Sequence, residues 1–147
     1  MRRGRALRRR FHYAAMADRK TPLDTPASRA IIAEALREDD DRPLFVCCGA
    51  GLTALASAWL MEPRIAQRLT AIWIGGAEHA DLAEPLVGGT PCEYNTAIDI
   101  AAAQVVLNDS DIPLWQVPRD AYRQVIATMD ELEVWLRPCG AIGEHLF

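Results

Sequence analysis

Three short apolar runs constrain this chain more than anything else in it. Leu44-Phe45-Val46-Cys47-Cys48 stops at Gly49, Ala71-Ile72-Trp73-Ile74 stops at Gly75-Gly76, and Ile112-Pro113-Leu114-Trp115-Gln116-Val117 stops at Pro118. Runs this short, bounded by Gly or Pro, read as strands, and the first two are apolar enough to be covered on both faces. The segments between them carry a helical period. Ala27 to Glu38 places Ile31, Ile32, Ala35 and Leu36 on one side, Gly51 to Met61 returns to helix, and Pro63 opens a further helical turn. Helix is expected again from Ala97 to about Leu107, from Arg119 to Ala127 and from Asp130 to Arg137, while the residues from Pro138 onward read as an element cut short. Alternating strand and helix predicts a three-layer α/β fold, with a mostly parallel sheet and helices on both faces. Ligands bind such sheets beyond the carboxyl ends of the strands, here at Gly49-Ala50-Gly51, at Gly75-Gly76 onward and at Val117-Pro118-Arg119.

The 147 residues suit one domain, and no stretch approaches the length of apolar sequence that a membrane span needs. The net charge of −4 is unevenly spread: residues 1–20 sum to +7 and residues 21–147 to −11. The basic segment 1–20 is expected to be a disordered tail of self-repelling charges, and 21–147 the folded domain. An acidic domain argues against a nucleic-acid surface. Cys47, Cys48, Cys92 and Cys139 have no C-x-x-C spacing, and neighbours in a strand point to opposite faces. Reduced thiols in a cytoplasmic protein are expected. His12, His79 and His145 are scattered without ligand spacing, and residues 77–92 form a long Pro- and Gly-rich loop of the kind that often serves function.

Gly49-Ala50-Gly51-Leu52-Thr53-Ala54 matches a dinucleotide fingerprint, but position 69, where an acid should hold the ribose, is Leu. Glu38-Asp39-Asp40-Asp41 precedes its strand, at the sheet end away from the binding loops, and reads as a solvated acidic turn. Glu93-Tyr94-Asn95-Thr96-Ala97-Ile98-Asp99 carries more chemistry. A carboxylate and an amide two residues apart, on a loop entering a helix, can clamp adjacent sugar hydroxyls. Asn95 or Thr96 can equally cap that helix, with Asp99 completing part of a capping box. Both roles can coexist.

The order of these landmarks resembles a known family. Ala50-Gly51-Leu52-Thr53-Ala54-Leu55-Ala56, Glu62-Pro63-Arg64-Ile65-Ala66, Ile72-Trp73-Ile74-Gly75-Gly76, Glu93-Tyr94-Asn95 through Ala103, and Ile112-Pro113-Leu114 follow one another. This succession is similar to the middle of the inosine-uridine-preferring nucleoside hydrolases, over residues 27–120. The resemblance implies an α/β domain that cleaves the N-glycosidic bond of ribonucleosides to ribose and free base, with a calcium ion activating water. It implies that Glu93 and Asn95 hydrogen-bond the ribose hydroxyls, that Ile74 lines the sugar site where the family usually has Met, and that the Thr53 backbone carbonyl is a calcium ligand. Asp99 matches a structural aspartate at a helix start.

The family's D-x-D-x-x-x-D-D motif, which supplies most calcium ligands and the general base, has no counterpart in the sequence. The asparagine expected shortly after Gly75-Gly76 is absent, and family members are considerably longer than this chain. The expectation is therefore a central slice of the domain, with an incomplete calcium site, no assignable catalytic residue and impaired hydrolysis. A non-catalytic ribose- or nucleoside-binding module, or an inactive fragment, are the alternatives. Homo-oligomerisation is possible; nucleic acid and membrane are not expected as partners.

Overall fold

A computed structural model describes residues 14–79, 81 and 92–147. The basic start at 1–13 and most of the Pro- and Gly-rich loop, residues 80 and 82–91, lie outside the described residues. Helix α1 (Pro26–Ala35) leads to strand β1 (Leu44–Cys48), α2 (Thr53–Met61), a 3-10 turn (Pro63–Gln67) and β2 (Leu69–Ile74). Next come α3 (Tyr94–Ile98), α4 (Ile100–Gln104), a π turn (Val105–Asp109) and β3 (Leu114–Val117). Three short helices close the chain, α5 (Arg119–Tyr122), α6 (Met129–Trp135) and α7 (Gly140–Leu146).

The strands form one parallel sheet in the order β1-β2-β3, pairing Val46 with Ala71 and Ile72 with Trp115. The α/β architecture expected from the alternation is the one observed. Leu52 at the N-cap of α2, Leu55, Ala56 and Ala58 within it, Ala102 from α4 and Val105 and Val106 from the π turn pack with Leu69, Ala71 and Trp73 of β2. Trp73 is completely buried, and its indole N–H donates to the Ala50 carbonyl at 2.8 Å, so the one polar atom of the largest core side chain is satisfied.

Three expectations need correction. The first strand was expected to be covered on both faces, yet its burial alternates, and Phe45 and Cys47 are exposed. Phe45 meets Trp115, itself exposed, at a ring-centroid distance of 5.4 Å. Among the described residues the packed core therefore lies against one face of the sheet, and composition could not reveal this because the open face is also apolar. The packed part also starts earlier than the expected residue 21: Met16 is buried in the core, its N–H donates to Asp99 Oδ2 at 2.9 Å, and Arg19 pairs with Asp109. Helix ends move too. Thr25, followed by Pro26, caps α1 in a capping box with Ser28, and Thr128 does the same for α6 with Glu131. The helix expected from Arg119 to Ala127 ends at Tyr122.

Among the described residues no helix is long and apolar enough to cross a membrane. The acidic turn after α1 is laced by arginines, with Arg37 on Asp39 and Asp40 and Arg42 on Asp40, as a solvated turn should be.

The two adjacent thiols provide a test of the one-sided sheet. Cys47 is exposed on the open face, while burial pushes the Cys48 thiol up to about 11, with Cys47 beside it adding to the shift. In native protein at neutral pH a maleimide should modify Cys47 well before Cys48, and peptide mapping after a brief exposure should recover the label on Cys47. Equal labelling of the two would contradict this packing.

Candidate functional site

The carboxyl ends of β2 and β3 meet the start of α3, and Glu93 is the residue that joins them. The Glu93 carboxylate caps α3 in place of the expected Asn95 or Thr96: Oε1 accepts from the Asn95 N–H at 3.0 Å, and Oε2 accepts from the Thr96 N–H at 3.0 Å and the Thr96 hydroxyl at 3.1 Å. Beyond its own helix, Oε2 accepts the Gly76 N–H at 2.7 Å and Oε1 the Tyr122 hydroxyl at 3.0 Å. Glu93 is 1% exposed. Burial pushes its carboxyl upward, but the N–H groups of Asn95, Gly76 and Thr96 and the Tyr122 hydroxyl more than reverse this, leaving it below its ordinary value.

Gly76 makes the junction possible. Its φ of +89° lies where only glycine is relaxed, and a Cβ there would collide with the Gln116 amide. In that conformation its N–H reaches Glu93 while its carbonyl accepts the Arg119 N–H at 3.0 Å. Gln116 donates to the Gly75 carbonyl at 2.9 Å, and the Gly75 N–H to Val117 at 3.0 Å. Beside them Arg119 grips Glu78 through two bonds of 2.5 and 2.6 Å, with both side chains nearly buried. The Arg119 guanidinium holds the Glu78 carboxyl down at about 2.

Asn95 donates its amide Nδ2 to the Ile74 carbonyl at 2.7 Å. Only the NH2 end of an amide can donate to a carbonyl, so this bond orients the group and leaves Oδ1 as its acceptor end. Ile74 itself is exposed at the end of β2, opposite Val117. The sequence-predicted trio Glu93, Asn95 and Ile74 is thus brought together, joined by the first turn of α3.

Thr53 belongs to a second cluster. Its hydroxyl donates to Asp99 Oδ2 at 2.6 Å, and the same carboxylate receives the N–H groups of Met16 and Ala102 at 2.9 and 3.0 Å. Asp99 adopts an extended backbone (φ −155°, ψ 90°) and caps α4, which breaks the helix expected to run unbroken from Ala97 to Leu107. Gly51, in the fingerprint-like turn, lets α3 approach: a Cβ there would sit 2.6 Å from the Ile98 side chain. That glycine serves packing.

Calcium needs 6–8 oxygen ligands, several of them carboxylate. Among the described residues no group of three or more His, Cys, Asp or Glu side chains could hold a metal, and Asp99, the carboxylate bonded to Thr53, is already committed to three protein donors. The described donor set does not fit the ion. Tyr122 and Glu78 were not singled out by sequence, and Arg119 only as the end of the Val117-Pro118-Arg119 loop. Their only signal was position, after the Gly75-Gly76 and Pro118 strand ends.

The model of the inosine-uridine preferring nucleoside hydrolases matches residues 8–146. The inosine-uridine preferring nucleoside hydrolase of Leishmania major is 31% identical over 113 residues, spanning 74% of this chain and 33% of that protein. The crystal structure of the inosine-uridine preferring nucleoside hydrolase from Bacillus anthracis superposes with a TM-score of 0.62 at 25% identity, over 79% of this chain and 38% of the other. The chain therefore spans about a third of the length of the relatives it matches.

Two measurements probe the Glu93 junction. Glu93→Ala leaves the N–H groups of Gly76, Asn95 and Thr96 without their acceptor and should cost roughly 2–4 kcal/mol in denaturant unfolding. A carboxyl whose folded value lies below its ordinary 4.5 contributes its full stability above that value and loses it as pH falls through the folded value. The stability gap between wild type and Glu93→Gln should therefore be constant near neutrality and shrink in acid below about pH 4.5. A gap that widens on acidification would contradict the depressed carboxyl.

Proposed function

The chain belongs to the family of inosine-uridine preferring nucleoside hydrolases, and from that premise we propose that it holds the ribose of a ribonucleoside at the carboxyl ends of β2 and β3. The observation that carries this reading is the Asn95 amide, two residues from Glu93 and tethered through Nδ2 to the Ile74 carbonyl, a bond that leaves Oδ1 to act as an acceptor. A ribose ring offers neighbouring hydroxyls, each both donor and acceptor. Asn95 Oδ1 accepts from one, the Glu93 carboxylate from the next, and Ile74 provides an apolar wall for the sugar carbons. Because backbone donors keep Glu93 ionised, it acts as an acceptor at neutral pH.

The family reaction is hydrolysis of the N-glycosidic bond, and we propose that this 147-residue chain performs it poorly when alone. Glu93 is committed to its cap and to Tyr122, and Glu78 to Arg119, so neither is free to activate water. Calcium, where the family uses it, would polarise that water. In this chain Thr53 would be its ligand only alongside carboxylates beyond the described residues.

Calorimetric titration of the purified chain with ribose and inosine, without calcium, should show binding. Asn95→Ala should weaken it about 5- to 10-fold by removing one acceptor. An absence of heat at millimolar ligand would sink the ribose-holding reading. Ribose release from inosine and uridine should stay at background both with calcium and with chelator, and calcium-dependent turnover would overturn the proposed impairment.

A further inference from the structure

Glu93 is oversubscribed. A carboxylate offers about four lone-pair positions, yet five donors converge on this one, the N–H groups of Gly76, Asn95 and Thr96 and the hydroxyls of Thr96 and Tyr122. A ribose hydroxyl can be accepted only if one of them yields. The three backbone donors are fixed by the start of α3 and by the turn at Gly76, and the Thr96 hydroxyl belongs to the capped turn itself. Tyr122 differs from all of these. It reaches Glu93 from the last residue of α5, through a half-buried side chain with rotatable torsions. Swinging its side chain about the Cα–Cβ bond frees Oε1 while the α3 cap stays intact. The start of α5 need not move, because Arg119 is anchored through its N–H to Gly76 and through its guanidinium to Glu78.

We propose that the Tyr122 hydroxyl occupies on Glu93 Oε1 the place of a sugar hydroxyl, so that a ligand enters by exchanging its own donor for the phenol. Resting on the ribose-holding reading above, this makes Tyr122 a determinant of affinity and of ligand class. A sugar with a free hydroxyl at that position replaces the lost bond. One whose hydroxyls are blocked leaves Oε1 short of a donor and is rejected. Burial and the bond to Glu93 raise the Tyr122 phenol above its ordinary value, and leaving Glu93 would lower it again.

Titrating the full chain with D-ribose tests the exchange. Tyr122→Phe keeps the ring and removes the competing donor, so ribose should bind about 3- to 10-fold tighter than to wild type. Equal affinity would overturn the role of Tyr122 and leave the ribose clamp standing, whereas binding by neither protein would overturn both. A second readout needs no change at Tyr122. With Tyr13 and Tyr94 replaced by Phe, Tyr122 is the one remaining of three tyrosines, and its phenolate can be followed by absorbance. Saturating ribose should move that titration to lower pH, and fully O-methylated ribose should leave it unmoved. An unchanged curve with ribose, or an equal shift with the methylated sugar, would overturn donor exchange.

Discussion

The buried carboxylate of Glu93 is the interaction on which the carboxyl end of this sheet depends. It draws an N–H from the turn after β2, three donors from the first turn of α3 and a hydroxyl from the end of α5. Each of those groups would otherwise be a buried or part-buried donor without its acceptor, and each such loss is costly. A single residue thereby holds three chain segments that are distant in sequence. The same bonds keep it ionised, so structural and binding roles draw on one charge.

Asp99 performs the corresponding task toward the interior. Its two oxygens gather Met16 near the N-terminus, Thr53 at the start of α2 and Ala102 in the first turn of α4. Satisfying these three donors requires an extended backbone at Asp99, and the helix divides there. With Glu93 and Asp99 capping successive short helices, the strip from 93 to 99 is rigid at both ends. That rigidity aims the Asn95 amide, and an amide aimed by a backbone carbonyl is a more selective acceptor than one free to rotate.

Against this closed side stands an open one. Phe45, Cys47 and Trp115 lie exposed on the sheet face opposite the core, in a chain matching about a third of the length of its relatives. Strand composition did not separate the two faces, because Val46 and Cys48 toward the core and Phe45 and Cys47 away from it are equally apolar. Local patterning likewise overran the helix at Asp99, since three consecutive alanines promise continuity while Asp99's partners sit 46 and 83 positions away. The basic segment misled in the same manner: its charge concealed that Met16 belongs to the core.

By itself the sequence determined the α/β class, the parallel sheet and the loops at the carboxyl ends of its strands, because periodicity and Gly and Pro punctuation are local properties, whereas the expectation that Glu93, Asn95 and Ile74 serve one site came from the family resemblance. Which oxygen of Glu93 meets which donor, that Tyr122 reaches it from α5, and that Asp99 binds Thr53 were decided only by the tertiary structure. The long-range contacts among them, to Gly76, Tyr122 and Thr53, join residues 17, 29 and 46 positions apart. A buried carboxylate takes whatever donors the packing delivers, and no pattern within a single segment can say which those will be.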